Sequence, residues 1–298
     1  MNDRKMVSVV VITYAQEKFI REAIEGVLMQ KVNFEVELII ADDNSPDNTE
    51  FVVNSFSNHP HFKWIKYTKH SENKGMMPNF IWALDQAKGK YIALCEGDDY
   101  WTDPLKLQKQ VNFLEANEDC SMCFHRTDEL LLDGTIQKSM ITYAEQANCF
   151  FEIVDLAKGN FIHTPSVVYK NNLFKIPKWM SLVSVGDYPM WMMLAFKGKV
   201  GYIGEPMSHY RVGVGVWSKG KSIVNIQHWI KMLYFLEFQF NNTEIKPLIH
   251  NQLFNMQNQF EHNVFIYKLN SYSLAKNARI IDLIKAIGLK SIIKLGLK

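Results

Sequence analysis

Three carboxylates stand within four residues of one another, directly after an apolar run. Glu96, Asp98 and Asp99 follow Tyr91 to Leu94, a segment whose hydrophobicity predicts a strand buried on both faces. Like charges at this spacing repel one another unless solvent or a cation neutralises them, and carboxylate oxygens are preferred ligands of hard divalent cations. The cluster therefore suggests a divalent metal site at the carboxyl end of a strand, where open α/β sheets bind their ligands.

A second interpretation of this acidic cluster stays open at the level of the sequence. Thr102, Asp103 and Pro104 come next and are typical of a helix start, with a polar N-cap and a proline at the first helical position. On this interpretation the acidic residues form a solvated loop that leads into the helix. Other polar clusters at the same edge of the sheet would favour the metal site instead.

The elements that position the cluster alternate between strand and helix. Apolar, β-branched runs predict four strands in the first third of the chain, and runs with helical periodicity lie between them. Segments of these lengths in this order predict a largely parallel sheet with helices on both faces. The predicted strands are Val7 to Tyr14, Val36 to Ala41, Phe62 to Tyr67 and Tyr91 to Leu94, and the predicted helices are Ile20 to Gln30, Asp47 to Ser57 and Pro78 to Ala87.

The pattern becomes less regular after the acidic cluster. The glycine-rich segment Tyr202 to Ser218 predicts a loop that covers a site, and helical periodicity dominates from Ile223 onward. The other elements predicted in this part of the chain are a helix over Leu105 to Asn117, a hairpin strand over Ser121 to Leu132, a strand over Phe161 to Tyr169 and a helix over Tyr188 to Phe196.

The composition excludes some classes of function. The chain has 298 residues, of which 47% are hydrophobic and 21% charged, so it has enough apolar surface for a large core. A net charge of +2, with no basic block beside interleaved aromatic residues, argues against nucleic-acid binding. The apolar run near the N-terminus is too short for a signal sequence or a membrane span, which predicts a cytoplasmic protein.

Residues 279–298 form a basic amphipathic stretch, because leucines and isoleucines alternate there with lysines and an arginine. Two interpretations stay open. The stretch could lie on an anionic membrane, which would place the protein peripherally on the inner face of the plasma membrane. It could equally dock on its own domain or on the second subunit of a homodimer.

Polar residues follow three of the four predicted strands. Thr13 and Tyr14 end the first strand, Asp42, Asp43 and Asn44 follow the second, and the acidic cluster follows the fourth. Because the carboxyl ends of parallel strands meet at one edge of a sheet, the three groups are expected to converge. Their convergence is more specific than any one of them and favours a ligand site.

At this point the chain resembles the family 2 glycosyltransferases of GT-A fold. The resemblance implies an α/β, Rossmann-like fold with a mostly parallel sheet flanked by helices, here a catalytic, nucleotide-sugar-binding domain over residues 1–220 and a helical extension over 221–298. It implies an inverting, metal-dependent enzyme that moves a sugar from a nucleotide sugar, of UDP type, to a hydroxyl of a glycan or lipid-linked acceptor in cell-surface polysaccharide synthesis. The segments that carry it are Val7 to Tyr14, Leu38 to Asn48, Asn73 to Gly75, Gly89 to Pro104 and Gly186 to Tyr188.

The resemblance implies roles on the donor side of the site. Asp43 matches the carboxylate that accepts the imide N–H of a uracil-type base, with Asp42 beside it. Glu96, Asp98 and Asp99 resemble the family's metal motif, with Asp98 the first choice as ligand of Mg²⁺ or Mn²⁺. The predicted nucleotide-binding residues are Thr13, Tyr14, Asp42, Asp43, Asn44, Lys74, Glu96 and Arg211, and the predicted metal ligands are Asp98 and Asp99.

On the acceptor side, Asp187 matches the family's catalytic acidic residue and is the predicted base that deprotonates the acceptor hydroxyl. A plain helix N-cap is the alternative role for this residue. His163 and Trp191 are predicted to bind the acceptor, since an aromatic face can stack on a sugar ring. A lone histidine at a strand is, however, more often a structural residue.

Three positions depart from the family pattern, namely Ala15, Glu96 and Gly186. They leave room for a second function, that of a catalytically inactive carbohydrate-binding or scaffold subunit with the same fold. A nucleotidyltransferase is disfavoured, because it needs a glycine-rich phosphate loop after the first strand and Thr13 to Gln16 contains no glycine.

Overall fold

The structure is a computed structural model that describes residues 6–139, 149–215 and 222–274. The strands are β1 (Met6–Thr13), β2 (Glu35–Asp42), β3 (Ile65–Lys69), β4 (Tyr91–Glu96), β5 (Tyr100–Trp101), β6 (Cys120–Leu130), β7 (Ile136–Lys138), β8 (Cys149–Phe151), β9 (Val168–Lys170) and β10 (Lys199–Arg211). The helices are α1 (Ile20–Leu28), α2 (Thr49–Asn54), α3 (Met76–Gln86), α4 (Lys106–Ala116), α5 (Ile153–Leu156), α6 (Asp187–Ala195), α7 (Ser222–Gln239) and α8 (Lys246–Leu274).

One sheet connects the strands in the order β3-β2-β1-β4-β9-β6-β10-β5, with β7 on β6 and β8 on β10. β1 pairs in parallel with β2 and β4, and β2 pairs in parallel with β3. β9 is antiparallel to both β4 and β6, whereas β10 is parallel to β6. β6 and β10 therefore run in the same direction as β4. The ends of β1, β2, β4 and β10 consequently lie at one edge, and the predicted α/β fold class is confirmed.

The central strand β1 has an apolar core on each of its faces. Val9 and Val11 pack with residues of α1 and α4 on one face, whereas Val10 belongs to the cluster on the other face, with residues of α3, α6 and α7. A strand covered on both faces needs apolar residues at successive positions, which explains its run of valines. Burial of both faces thus determines where along the strand the polar residues of its carboxyl end begin.

The predicted strand over Phe161 to Tyr169 was largely wrong. A single turn of 3-10 helix occupies Thr164–Ser166, and the strand β9 begins only at Val168. Pro165 explains the difference, because proline has no N–H for a strand ladder and its fixed φ angle suits a helical turn.

The predicted loop over Tyr202 to Ser218 was also wrong, since β10 extends to Arg211. Two register shifts flank Pro206, and they let the strand accommodate a residue that has no N–H to donate. Gly201 in this strand serves packing, because a Cβ there would lie 2.0 Å from Cε1 of Phe113. The sequence interpretation took the glycines between Tyr202 and Ser218 as a sign of a loop.

The helices α7 and α8 pack onto the sheet domain and share its core. Met232, Leu233 and Leu236 of α7 and Ile249 of α8 belong to the same apolar cluster as α3 and α6. Within the described ranges no helix is both long and apolar enough to cross a membrane. The basic amphipathic stretch 279–298 lies outside the described residues, and the domain boundary at residue 220 remains a prediction.

Candidate functional site

The acidic loop turns sharply at the end of β4. The amide of Gly97 donates to the carbonyl of Ile12 at 3.1 Å, and the amide of Asp99 donates to the carbonyl of Glu96 at 3.1 Å. A Cβ at position 97 would lie 2.2 Å from Oε1 of Gln16 and 3.0 Å from Oγ1 of Thr13, so a side chain at this turn would force these neighbours to shift. The loop is therefore held directly against the end of β1.

The carboxylates of this loop repel one another in a buried setting. Burial raises the pKa of Glu96 to about 8, and the carboxylates of Asp98 and Asp187 add to the effect. Burial, Asp98 and Glu96 likewise raise the pKa of Asp99 well above its usual value. The geometry thus concentrates negative charge at the carboxyl end of β4, as the sequence predicted.

The buried carboxylate of Asp99 is only half satisfied. Its Oδ1 accepts the amide of Arg211 at 2.8 Å, and its Oδ2 has no hydrogen-bond partner among the described residues. A divalent cation would both occupy such an oxygen and neutralise the loop, so the donor set fits a hard metal ion. Among the described residues no group of three acidic, histidine or cysteine side chains forms a complete cation site. A metal ion here would need further oxygen ligands from a bound molecule.

Arg211 lies at the end of β10 and is engaged within the protein. Its guanidinium donates to the carbonyl of Asp98 at 2.7 Å and to Glu22 of α1 at 2.7 Å. It also lies over the rings of Phe19, at 5.0 Å, and Tyr100, at 4.8 Å. With 7% of its surface exposed, the side chain ties the acidic loop to α1. Its predicted contact with the donor remains a prediction.

The two carboxylates after β2 organise neighbouring loops. Asp42 accepts the amide of Ser45 at 2.7 Å and the hydroxyl of Tyr67 at 2.7 Å. Asp43 accepts the amide of Lys74 at 2.7 Å and that of Gly75 at 2.9 Å. Both side chains are buried, Asp42 within the sheet and Asp43 at the edge that faces the loop before α3. In both residues, both carboxylate oxygens accept hydrogen bonds from nearby protein groups.

The loop after β1 lies beside the loop after β2. The amide of Ala15 donates to the hydroxyl of Ser45 at 2.9 Å, and both Ala15 (φ 54°) and Asn44 (φ 62°) have left-handed backbone conformations. Thr13 is buried, whereas Tyr14 is 48% exposed and so presents its ring to solvent. The predicted nucleotide-binding residues of these two loops therefore come together. Lys74 lies near them with an exposed side chain.

A cavity of about 430 Å³ opens beside the acidic loop. Glu96 and Asp187 both line it, so the end of β4 and the start of α6 meet there. Its wall is otherwise largely apolar, and one of the contributing side chains, Trp229, comes from α7. The main apolar residues of the wall are Ile12, Met76, Met77, Phe80, Val212 and Trp229.

Asp187 is the first residue of α6 and follows the N-cap Gly186. A Cβ at Gly186 would lie 2.3 Å from Cε of Met77, so a side chain at this position would require the flexible end of Met77 to move. Burial raises the pKa of Asp187, and hydrogen-bonding groups of Tyr188, Asn160 and Thr164 partly oppose this shift. A carboxylate with a raised pKa that faces a cavity is suited to accept a proton.

Of the two residues predicted to bind the acceptor, His163 lies in the cavity wall, whereas Trp191 does not. Trp191 has an exposure of 0%, and every residue of α6 from Tyr188 to Ala195 is buried. Because this helix is apolar on all sides, its tryptophan faces the core and offers no surface to a sugar in the structure described.

Sequence reasoning missed several residues of the cavity. Asn160 and Thr164 both act on Asp187, and Thr164 lies in the segment that was interpreted as a strand. Trp229 was recognised only as part of a helical periodicity, and nothing in the sequence signalled that α7 reaches the site. The single available signal was the polar composition of Asn160 to Ser166 between apolar residues.

The chain is similar to known protein sequences over its sheet domain. The model of Glycosyl transferase family 2 matches residues 8–172. An uncharacterized protein of Mycobacterium tuberculosis, Rv1520, is 35% identical over 215 residues, which cover 70% of this chain and 60% of that protein. The putative teichuronic acid biosynthesis glycosyltransferase TuaG of Bacillus subtilis is 25% identical over 242 residues, which cover 79% of this chain and 92% of that protein.

Two solved structures share the fold. S. aureus TarS 1–349 in complex with UDP-GlcNAc superposes with a TM-score of 0.65 at 18% identity. The match covers 86% of this chain and 73% of the TarS chain. The mannosyltransferase PcManGT from Pyrobaculum calidifontis, in complex with GDP-Man and Mn²⁺, superposes with a TM-score of 0.62 at 16% identity. The match covers 98% of this chain and 81% of the PcManGT chain. At these identities the likeness is one of fold.

Proposed function

Because this chain belongs to Glycosyl transferase family 2 and has the GT-A fold, we propose that it transfers a sugar from a nucleotide sugar to an acceptor hydroxyl with inversion. The observation that carries the proposal is the cavity in which Asp187 and the acidic loop meet. The acceptor is a glycan or glycolipid of a cell-surface polysaccharide, an assignment supported by the name of the relative TuaG.

The donor side consists of the loops after β1 and β2. Asp43 is the proposed partner of the base, and its carboxylate already holds the amides of Lys74 and Gly75. Thr13, Tyr14 and Asn44 surround the base and ribose. A UDP sugar is the proposed donor, and the complex of the structurally similar TarS with UDP-GlcNAc supports this choice.

The acidic loop is proposed to hold a divalent cation, Mn²⁺ or Mg²⁺. Asp98 and Asp99 are the proposed protein ligands, and the partnerless Oδ2 of Asp99 supports this role. When bound, the cation neutralises the diphosphate of the leaving nucleotide. PcManGT, which has a similar fold, was solved with Mn²⁺.

Asp187 is the proposed general base. It accepts the proton of the acceptor hydroxyl as that oxygen attacks the anomeric carbon, and the nucleoside diphosphate leaves from the opposite face. A single displacement of this kind inverts the anomeric configuration and needs no covalent enzyme intermediate. Hydrogen-bonding groups of Asn160 and Thr164 act on this carboxylate in the wall of the cavity.

Calorimetric titration with UDP, GDP and dTDP, each with Mn²⁺ and then with excess chelator, tests this function. We expect metal-dependent binding of UDP by the wild-type chain and by Asp85→Asn, whose side chain is exposed and does not line the cavity. Asp98→Asn should lose the metal dependence. Absence of binding for all three nucleotides would contradict the proposal and favour an inactive scaffold of the same fold.

A further inference from the structure

Three polar side chains form a hydrogen-bonded chain along the cavity wall. The hydroxyl of Ser139 donates to Oε1 of Glu129 at 2.8 Å and lies 2.8 Å from Nε2 of His163. The other oxygen of Glu129, Oε2, accepts Nε2 of Gln137 at 3.0 Å. Both Glu129 and His163 line the cavity that contains Asp187.

These hydrogen bonds determine the tautomer of His163. An ionised carboxylate only accepts hydrogen bonds, and the Ser139 hydroxyl has one proton, which it donates to Glu129. The short contact between Ser139 and His163 must therefore use a proton on Nε2 of the imidazole. In a neutral ring this leaves Nδ1 without a proton, as a hydrogen-bond acceptor.

The surroundings keep the ring neutral and fixed. Burial lowers the pKa of His163 to about 4, and the carboxylate of Glu129 opposes this shift. The ring lies 4.8 Å from that of Tyr210, which also faces the cavity. Within the described part of the chain no hydrogen bond to Nδ1 of His163 occurs. The next residue, Thr164, acts on the carboxylate of Asp187, so both groups belong to one segment of the wall.

We propose that Nδ1 of His163 accepts a hydrogen bond from a second hydroxyl of the acceptor, beside the hydroxyl that Asp187 deprotonates. This inference rests on the proposed function and specifies its acceptor: a polyhydroxylated ring such as a pyranoside. The apolar side chains of Met76, Phe80 and Trp229 line the same cavity and suit the C–H face of such a ring. His163 is then a specificity-determining residue and not a proton carrier.

Nitrogen NMR of the chain labelled at its nine histidines tests the tautomer directly. We expect the His163 signals, assigned by their loss in His163→Gln, to show a protonated Nε2 and an unprotonated Nδ1. Ser139→Ala should shift this population toward the other tautomer. A proton on Nδ1 of His163 in the wild-type chain would overturn the inference.

Titration with methyl glucopyranoside, and with methoxytetrahydropyran as a ring without hydroxyls, tests contact with the acceptor. The Nδ1 signal of His163 should move with the first probe and not with the second. His70 provides an internal control, since its Nε2 also donates, to Asn79 at 2.9 Å, but it does not line the cavity. An unmoved Nδ1 signal, or equal movement at His70, would overturn the inference.

A pair of variants separates recognition from packing. In His163→Asn the amide can present an oxygen near the position of Nδ1, whereas in His163→Gln it reaches the position of Nε2 and retains only the Ser139 contact. We expect pyranoside affinity to fall up to about tenfold in His163→Gln and less in His163→Asn, as for one hydrogen bond. Equal losses would overturn the inference. Nucleotide binding, measured separately, should be unchanged in both variants. A failure of the proposed function would instead appear as absent nucleotide binding in the wild-type chain, which distinguishes it from a failure of this inference.

Discussion

The proposed donor side and the proposed acceptor side of the site are built in different ways. On the donor side, Asp42 and Asp43 have both oxygens of each carboxylate engaged by nearby protein groups. On the acceptor side, the cavity draws on α3, α6, β10 and α7 and has a largely apolar wall. The family match, residues 8–172, includes the donor side but ends before Asp187 and Trp229. The donor side thus has a fixed framework within one stretch of chain, whereas the acceptor side is assembled from distant segments.

Asp187→Asn is expected to separate the two sides most strongly. Loss of the base should reduce sugar transfer by roughly 10²- to 10⁴-fold while nucleotide affinity stays unchanged. The measurement is the transfer rate at saturating donor, with Asp85→Asn as the control. Unchanged transfer in Asp187→Asn would remove the base assignment.

Asp43→Ala should damage the donor side alone. The variant loses the acceptor of the Lys74 and Gly75 amides, and hydrogen bonds to charged groups contribute about 1.5 to 3 kcal/mol each. We expect nucleotide affinity to fall by about 10- to 100-fold, measured by calorimetry. Asp43→Asn, which retains one accepting oxygen, should lose less. An unaltered affinity in Asp43→Ala would mean that this loop does not contribute to nucleotide binding.

Arg211→Lys tests the connection between the acidic loop and α1. Lysine retains the charge but cannot donate in two fixed directions, toward the carbonyl of Asp98 and toward Glu22. Metal-dependent nucleotide affinity should fall about tenfold, as for one or two lost hydrogen bonds. Glu22→Gln, which leaves the Asp98 contact in place, should have a smaller effect. If both variants bind like the wild type, the acidic loop is positioned without this arginine.

Glu37→Gln should have the smallest effect, limited to the stability of the donor-side sheet. Burial alone would raise the pKa of Glu37, but hydrogen bonds from Lys66, Ser8 and the Lys88 amide lower it below 4.5. A carboxyl group whose pKa is lower in the folded state than in the unfolded state stabilises the fold at pH values above its unfolded pKa. This contribution is lost as the pH falls through the folded pKa. The variant should therefore be less stable by roughly 1 kcal/mol at neutral pH and should lose less stability on acidification.

Urea unfolding at neutral pH and below pH 4.5 measures this effect. The surface pair of Lys69 and Glu50 supplies the control, because Glu50→Gln removes an exposed ion pair of little value. An identical pH dependence in Glu37→Gln and the wild type would assign the acid sensitivity to other groups.

The sequence was sufficient to predict the structure where a hydrophobic run ends directly in polar residues. The runs of β1, β2 and β4 predicted the parallel half of the sheet, and the acidic residues after β4 predicted its negative charge. The acceptor side was less accessible because its contacts are non-local. Pro165 replaced most of a predicted strand by a helical turn, and the loop predicted from Tyr202 onward is a strand as far as Arg211. The engagement of Arg211 with Glu22 joins residues far apart in the chain, so no local pattern indicates it.

The end of β10 has a kinetic consequence. Consecutive residues of a strand face opposite sides, and here Tyr210 lines the cavity while Arg211 holds the acidic loop. A movement of this strand end on donor binding would therefore also move the wall that receives the acceptor. We expect steady-state kinetics of compulsory order, with the nucleotide sugar bound first, and product inhibition by the free nucleotide that is competitive only toward the donor.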